Sequence, residues 1–254
     1  MRYVRFLTPK GPSWGFVDGD VIQAIDGPPY TAHQQTGQSQ LMRFAKLLAP
    51  VTPSKIVGVA LNYAAWTKVH PNLNLPTEPI FFHKVLSAVT NPDEPIQLTP
   101  MNKAVVFEAE MALVIGKTAR RVTEAEALDY VFGVTAVNDV TDMGLITQDA
   151  DNLARGKCFD TFCPVGPCLV TGLNPNQLAI RSRLNGQEKQ RFSTEEMLFS
   201  AQKVIAALSQ VMTLYPGDVI HTGTPPGVEQ VKPGDVVEIE IEGVGTLRNP
   251  VVAG

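Results

Sequence analysis

Ala104-Val105-Val106-Phe107-Glu108-Ala109-Glu110-Met111-Ala112-Leu113-Val114-Ile115-Gly116 alternates in a way that predicts a β-strand carrying two acids on one side. Val105, Phe107, Ala109, Met111, Leu113 and Ile115 make the opposite face wholly apolar. Val106, Ala112 and Val114 flank the acids on their own side, so this is not an ordinary solvated face. Residues i and i+2 on a strand lie roughly 6.5–7 Å apart. Two carboxylates that close in partly dry surroundings repel unless one is protonated or a cation lies between them. All-oxygen ligation favours Mg²⁺, Mn²⁺ or Ca²⁺ over Zn²⁺. Glu-x-Glu alone also fits acids paired with Lys or Arg, or facing water at a strand end, so the motif needs further partners.

The 254-residue chain is 44% hydrophobic and 18% charged, ordinary values for a soluble globular protein with a sizeable core. A net charge of −4 spread without runs gives no electrostatic basis for nucleic acid or an anionic membrane as partner. No stretch approaches the length of a membrane span, and Met1-Arg2-Tyr3-Val4-Arg5-Phe6 lacks a signal peptide's apolar region, so the expected location is cytoplasmic. Cys158, Cys163 and Cys168 lack zinc-ribbon pairing and read as free thiols of a reducing compartment.

Residues 1–53 contain short β-like pieces, Tyr3 to Leu7 and Trp14 to Ala24, then Asp26-Gly27-Pro28-Pro29 and a polar stretch, Thr31 to Ser39. They read as a small β-containing N-terminal subdomain. Pro50, Pro53 and the apolar run Ile56 to Leu61 open a second unit, 54–254, with alternating strands and few helices. Thr123 with Glu126 predicts a capped helix ending before Gly133. Ser193 with Glu196 predicts a longer helix over Thr194 to Leu214, its stripe of Met197, Ala201, Val204, Ile205, Leu208 and Met212 packing on the core. Pro216-Gly217-Asp218-Val219 and Pro233-Gly234-Asp235-Val236 repeat one turn-then-strand chemistry. The fold class is mainly β with few helices, α+β.

Three further places offer polar chemistry. Asp139, embedded in Val134-Thr135-Ala136-Val137-Asn138-Asp139-Val140-Thr141, is a candidate third oxygen ligand, or an acid that merely hydrogen-bonds at a loop edge. Lys157, among small and aromatic residues, could offset the acids' charge and bind or deprotonate a carboxylate-bearing substrate, or could snorkel at the surface. Thr222-Gly223-Thr224-Pro225-Pro226-Gly227 offers backbone N–H groups and hydroxyls to an anion. His33, His70, His83 and His221 are scattered without ligand spacing and read as structural or surface residues.

Together these pieces resemble the fumarylacetoacetate hydrolase family. The resemblance is carried by Leu61-Asn62-Tyr63, Phe82-His83-Lys84, Phe107 to Lys117, Asn138-Asp139-Val140-Thr141, Lys157 to Phe162, Asn185-Gly186, and Pro216-Gly217-Asp218-Val219-Ile220 through Thr222-Gly223-Thr224-Pro225, in the family's order over about residues 54–252. It implies a rolled, mixed β-structure, a homodimer, Mg²⁺ or Mn²⁺ as cofactor, and a 2-oxo acid or its enol as substrate. By that resemblance Glu108, Glu110 and Asp139 are the metal ligands and Lys157 the active-site lysine. Asn62, Trp66, Lys84, Gly223 and Thr224 fall beside the substrate.

Two departures bear on the reaction. Hydrolytic members read Asn-Tyr-x-x-His-x-x-Glu, a lid dyad that activates water, and here those two positions are Trp66 and Val69. Neither side chain accepts a proton. His70, one helical turn beyond Trp66, is a candidate replacement. The family's Arg and Asp after Asn-Asp-Val-Thr are replaced by Met143 and Gly144, which points to a less acidic, larger or more aromatic substrate. The expectation is an isomerase or decarboxylase working through a metal-stabilised enolate. The alternatives are an acylpyruvate-type C–C hydrolase using His70, and an idle cation-binding homologue.

Overall fold

The computed structural model describes residues 1–149 and 152–254, and most of the chain's regular structure is strand. The strand Ala109–Ile115 lies inside a large sheet, antiparallel to Val131–Asn138 on one side and to Val219–His221 on the other. From Val131–Asn138 the sheet continues through Cys163–Val170, Arg2–Thr8, Gly11–Asp18 and Val21–Ile25 to Gln35–Leu41. From Val219–His221 it continues through Ile56–Ala60 to Ile80–Lys84. A second sheet runs Gln187–Ser193, Ala179–Leu184, Val236–Ile241, Gly245–Ala253, Ile96–Leu98. Pairing is mixed: Val219–His221 is parallel to Ile56–Ala60 and Gly245–Ala253 parallel to Ile96–Leu98, while most neighbours are antiparallel.

Burial follows the predicted alternation. Ala109, Met111, Leu113 and Ile115 share one buried cluster with Ile180, Ile239, Leu247 and the helix side chains Val204, Ile205 and Leu208. Ala112 and Val114 belong to a second cluster with Ile56, Val137, Val165 and Val219. Glu110, two residues before Ala112 on that second face, is therefore held inside the protein.

The first strands enter the large sheet directly, through Arg2 opposite Val170 and Tyr3 opposite Leu169. The polar stretch Thr31 to Ser39 contributes the exposed edge strand Gln35–Leu41, whose polar side chains leave that edge solvated. Both Pro-Gly-Asp turns form alike. Gly217 and Gly234 adopt φ of 90° and 97°, and Asp218 and Asp235 accept the N–H groups of Tyr215 and Lys232 at 2.7 and 2.9 Å.

Two helix expectations are corrected. Thr123 does bond Glu126, but only a short 3-10 turn, Ala127–Tyr130, follows. Gly133 lies within a strand instead of past a helix end, because Val131–Asn138 is taken into the sheet. The predicted helix over Thr194 to Leu214 is split. Ser193 and Glu196 form their capping box around the 3-10 turn Thr194–Glu196, and the α-helix proper is Ala201–Val211, capped by Ser200. Asn62 causes the break: its carbonyl accepts the Leu198 N–H and its side-chain oxygen the Phe199 N–H, which draws that backbone out of helix. Among the described residues no helix is long and apolar enough to cross a membrane, and the cysteines are free.

Gly133 is required by a close approach, since a Cβ there would stand 2.4 Å from the Val170 carbonyl oxygen. Gly133→Ala is expected to cost about 1–3 kcal/mol. A thermal melt should then show Tm lowered by roughly 3–10 °C, and an unchanged Tm would contradict the stated packing.

Candidate active site

Glu108 precedes the strand Ala109–Ile115 and Glu110 is its second residue. The Asp139 N–H donates to the Glu108 carbonyl at 3.0 Å, and the Glu108 N–H to Asn138 Oδ1 at 3.1 Å. Those bonds set Asp139 beside the acid pair. Lys157 is the last residue of a short helix, Leu153–Lys157, started by Asn152. Its ammonium donates to Asp139 Oδ2 at 2.6 Å, Glu108 Oε2 at 3.0 Å and Thr141 Oγ1 at 2.6 Å. The same ammonium lies 4.7 Å from the centre of the Phe82 ring. The Lys84 ammonium, fully buried, donates to Asp139 Oδ1 at 2.6 Å and to the Val140 carbonyl at 3.0 Å.

Charge shapes the protonation of the cluster. Burial pushes the Asp139 carboxyl upward, but Lys157 and Lys84 outweigh it and hold the group well below the usual carboxylate range. Burial likewise disfavours the charged Lys157, yet Asp139 and Glu108 more than restore it, so it stays an ammonium. Glu108 is raised by burial, with Lys157 opposing. Glu110 is raised furthest, by burial first and then by Asp139 and Glu108. Glu110 accepts the Gly223 N–H at 2.6 Å, and among the described residues it has no ion-pair partner.

Gly223 can aim that N–H only because its φ is +88°. A Cβ there would also stand 3.0 Å from both Asn62 Cβ and the Val59 carbonyl oxygen. The neighbouring Thr224 hydroxyl and the Pro225 carbonyl accept from the Gln190 side-chain amide at 2.8 and 2.9 Å. Above this loop the one-turn helix Trp66–Val69 is tied down by the Trp66 indole N–H, which donates to the Thr224 carbonyl at 2.8 Å. His70 caps that turn, is exposed, and stacks on Trp66 with ring centres 5.8 Å apart.

A cavity of about 580 Å³ opens between lid and cluster, lined by Glu108, Glu110, Lys157, Gly223, Thr224, Trp66 and His70 together with apolar side chains. The structure thus brings those seven expected residues to one space. Two others are spent elsewhere. Lys84 is sealed behind Asp139 and does not line the cavity. Asn62 gives its amide to the carbonyls of Phe199 at 3.2 Å and Thr222 at 2.8 Å, which ties it to the backbone beside the Gly223 loop, and it does not line the cavity.

His221, read from sequence as a background histidine, belongs to the cluster. It pairs with Ala112 across the sheet, which sets its side chain on the Glu110 face. Ligand atoms of Glu110, Asp139 and His221 lie within 4.8 Å of one another. Burial lowers the imidazole to about 3, so it is neutral, and its Nδ1 has no hydrogen-bond partner. Its position beside Thr222-Gly223-Thr224 was the only signal in the sequence. Gln190 had none, since its role depends on strand register, and Thr141 stood in the quoted Asn-Asp-Val-Thr stretch with no role of its own assigned.

The donor set fits a divalent cation: a buried carboxylate without an ion-pair partner in Glu110, the cavity-lining Glu108, the ionised Asp139, and a neutral imidazole whose Nδ1 is unpartnered while its Nε2 meets Cys163 Sγ at 3.7 Å.

A buried, acid-bearing β-roll with a cation-competent centre defines a class of metal-assisted enzymes, and sequence comparison identifies which. The fumarylacetoacetate (FAA) hydrolase C-terminal family matches residues 55–252, and a family described as Rv2993c-like, N-terminal, matches residues 1–50. The chain belongs to the fumarylacetoacetate hydrolase family. The mitochondrial oxaloacetate tautomerase fahd2 of Xenopus laevis is 41% identical over 218 residues, 81% of this chain and 68% of that protein. The crystal structure of 5-carboxymethyl-2-hydroxymuconate delta-isomerase from Mycobacterium smegmatis superposes with a TM-score of 0.93 at 39% identity, covering 100% of both chains. Maleylpyruvate hydrolase from Sphingobium sp. SYK-6, solved with manganese(II) and pyruvate, gives a TM-score of 0.82 at 31% identity, again over 100% of both chains. Enzymes of this family are generally dependent on a divalent metal, and both isomerases and hydrolases stand among these neighbours.

Two measurements check the site. Isothermal calorimetry should detect uptake of Mn²⁺ or Mg²⁺ by the native protein and a loss of at least about a hundredfold in affinity in Glu110→Gln and Asp139→Asn; undiminished uptake would remove both residues from the centre. Trp66→Phe deletes one hydrogen bond worth about 0.5–1.5 kcal/mol, so amide exchange over residues 64–70 should quicken roughly two- to tenfold. Unchanged exchange would mean that the indole does not hold the lid.

Proposed function

We propose that this chain is a divalent-cation-dependent isomerase or decarboxylase acting on a 2-oxo acid, or its enol, through the enolate. The observation that carries the reading is the lid. Where water-activating members of the family hold a proton acceptor, Trp66 stands with its only polar hydrogen committed to the Thr224 carbonyl. An indole accepts no proton from water, and Val69 supplies no carboxylate to orient a base. Decarboxylation needs an electron sink and exclusion of water, and isomerisation needs in addition a group that carries a proton between two substrate atoms, but neither needs an activated water.

In this reading Glu108, Glu110 and Asp139 hold Mg²⁺ or Mn²⁺, which when bound supplies Lewis acidity toward the carboxylate and 2-oxo oxygens of the substrate. Lys157, fixed as an ammonium by its acid neighbours, stabilises the negative charge that develops as the enolate forms. Lys84 neutralises part of the Asp139 charge from behind and keeps that carboxylate in place. Gln190 holds the Thr224 hydroxyl at the cavity wall, and Gly223 fixes Glu110. Apolar walls and Trp66 keep water from the enolate, strengthening each electrostatic contact.

A second reading is supported by His70, which lines the same cavity. There it would stand in for the absent lid histidine, in an acylpyruvate-type C–C hydrolase. Enol–keto interconversion, decarboxylation and acylpyruvate cleavage, assayed side by side on metal-loaded protein, separate the two. The expected result is catalysis of enol–keto interconversion or decarboxylation that survives His70→Ala and falls about 10²–10³-fold in Lys157→Met. Cleavage alone, abolished by His70→Ala, would establish the hydrolase instead. Inactivity toward every substrate with metal bound would leave a cation-binding homologue without catalysis.

A further inference from the structure

The cavity is far larger than a pyruvate unit and its chemistry is uneven. Glu108, Glu110, Lys157, Gly223 and Thr224 supply the polar groups at one end and His70 one at the exposed lid, while Leu73, Ile80, Phe82, Met143, Ile146 and Leu153 give an apolar wall. A volume of about 580 Å³ is in the range that holds a ligand of substantial size.

The lysines of the site belong to the acid cluster, where the reacting end of a substrate lies. An ammonium has three N–H donors, and those of Lys157 go to Glu108, Asp139 and Thr141. Lys84 is sealed from the cavity by Asp139. Among the described residues no arginine lines the space, and Arg155, on the same short helix as Lys157, is engaged with Asp149 at the surface. A second carboxylate carried against the apolar wall would lose its hydration and meet no fixed cation there, since His70 stacks on Trp66 at the exposed rim, and the transfer is costly. Alkyl or aryl carbon placed there would instead bury against Leu73, Ile80 and Ile146.

We propose that the substrate is a 2-oxo acid whose far end is apolar, an alkyl or aryl substituent and not a second carboxylate. This rests on the assignment of the site to 2-oxo acids, and it adds which of them the walls select. The 2-oxo carboxylate end meets the acid cluster and its cation, and the substituent lies along the wall beneath the lid. Met143, the first residue of the helix Met143–Gln148, is partly exposed and marks where that wall meets solvent. It is the position at which an added guanidinium reaches the cavity without entering the core.

The test compares 2-oxohexanoate with 2-oxoadipate, equal in carbon count and different only in the terminal group, by calorimetric titration into Mg²⁺-loaded protein, with pyruvate as the common-core control. Binding is read directly, so the outcome does not depend on which reaction the enzyme performs. The monocarboxylate is expected to bind at least about tenfold more tightly than the dicarboxylate, a discrimination of the size that unpaired buried charge imposes. Met143→Arg should shift that ratio at least about fivefold toward 2-oxoadipate by supplying the missing cation. Equal or tighter binding of 2-oxoadipate to the native protein overturns the proposal while leaving the 2-oxo acid assignment standing. A native preference that Met143→Arg leaves unmoved also overturns it, because the discrimination then does not arise at this wall. Binding of none of the three, pyruvate included, with metal present removes the 2-oxo acid assignment and this inference together.

Discussion

Asp139 is gripped from two sides, by Lys84 at 2.6 Å and Lys157 at 2.6 Å, in the interior of the protein. That double ion pair is the constraint on which the site depends. Three acids and two ammonium groups share this buried region, so full ionisation of the acids would leave one negative charge in excess. Burying charge without full compensation is expensive, and the strain falls on Glu110, the acid without a cationic partner among the described residues and the one whose carboxyl is raised furthest. A divalent cation would reverse that excess, and the anionic end of the 2-oxo acid proposed as substrate would then balance it. The electrostatics of the cluster thus support the proposed cofactor and the charge type proposed for the reacting end.

The fold supplies this arrangement by bringing distant segments together. Lys84 ends an edge strand, Glu110 lies on a strand buried on both faces, Asp139 follows the neighbouring strand, and Lys157 closes a one-turn helix. Asn62 connects three of the surrounding pieces, since its hydrogen bonds reach the backbone at Leu198, Phe199 and Thr222. The same residue that splits the long helix therefore holds the Gly223 loop, and through that loop Glu110. A polar side chain with no exposure contributes here by placement alone.

Period two was enough to set Glu108 and Glu110 on one side and a wholly apolar set on the other, and the unbroken apolar run from Met111 to Ile115 is the imprint of a strand buried on both sides whatever its neighbours are. The paired Pro-Gly-Asp turns were legible for a local reason too: positive φ at Gly and an acceptor at Asp are needed by the turn itself. What depends on register was not legible. His221 joins Glu110 because it stands opposite Ala112, and Gln190 reaches Thr224 from a hairpin of the other sheet. Lys84 and Asn62 were marked as important, but sequence could not distinguish contact with substrate from support behind it. The two helix expectations failed where tertiary pairing overrode a sound capping signal, at Thr123 and again after Glu196.

The central claim is that Glu110 and Asp139 converge on one cation that the resting charge imbalance demands. Anomalous diffraction from crystals soaked in Mn²⁺ tests it most directly. The account predicts a single strong peak about 2.2 Å from carboxylate oxygens of both residues, at the end of the cavity that Glu108 and Lys157 line. A peak elsewhere, or none at saturating Mn²⁺ with Lys157 still bridging Glu108 and Asp139, would contradict it.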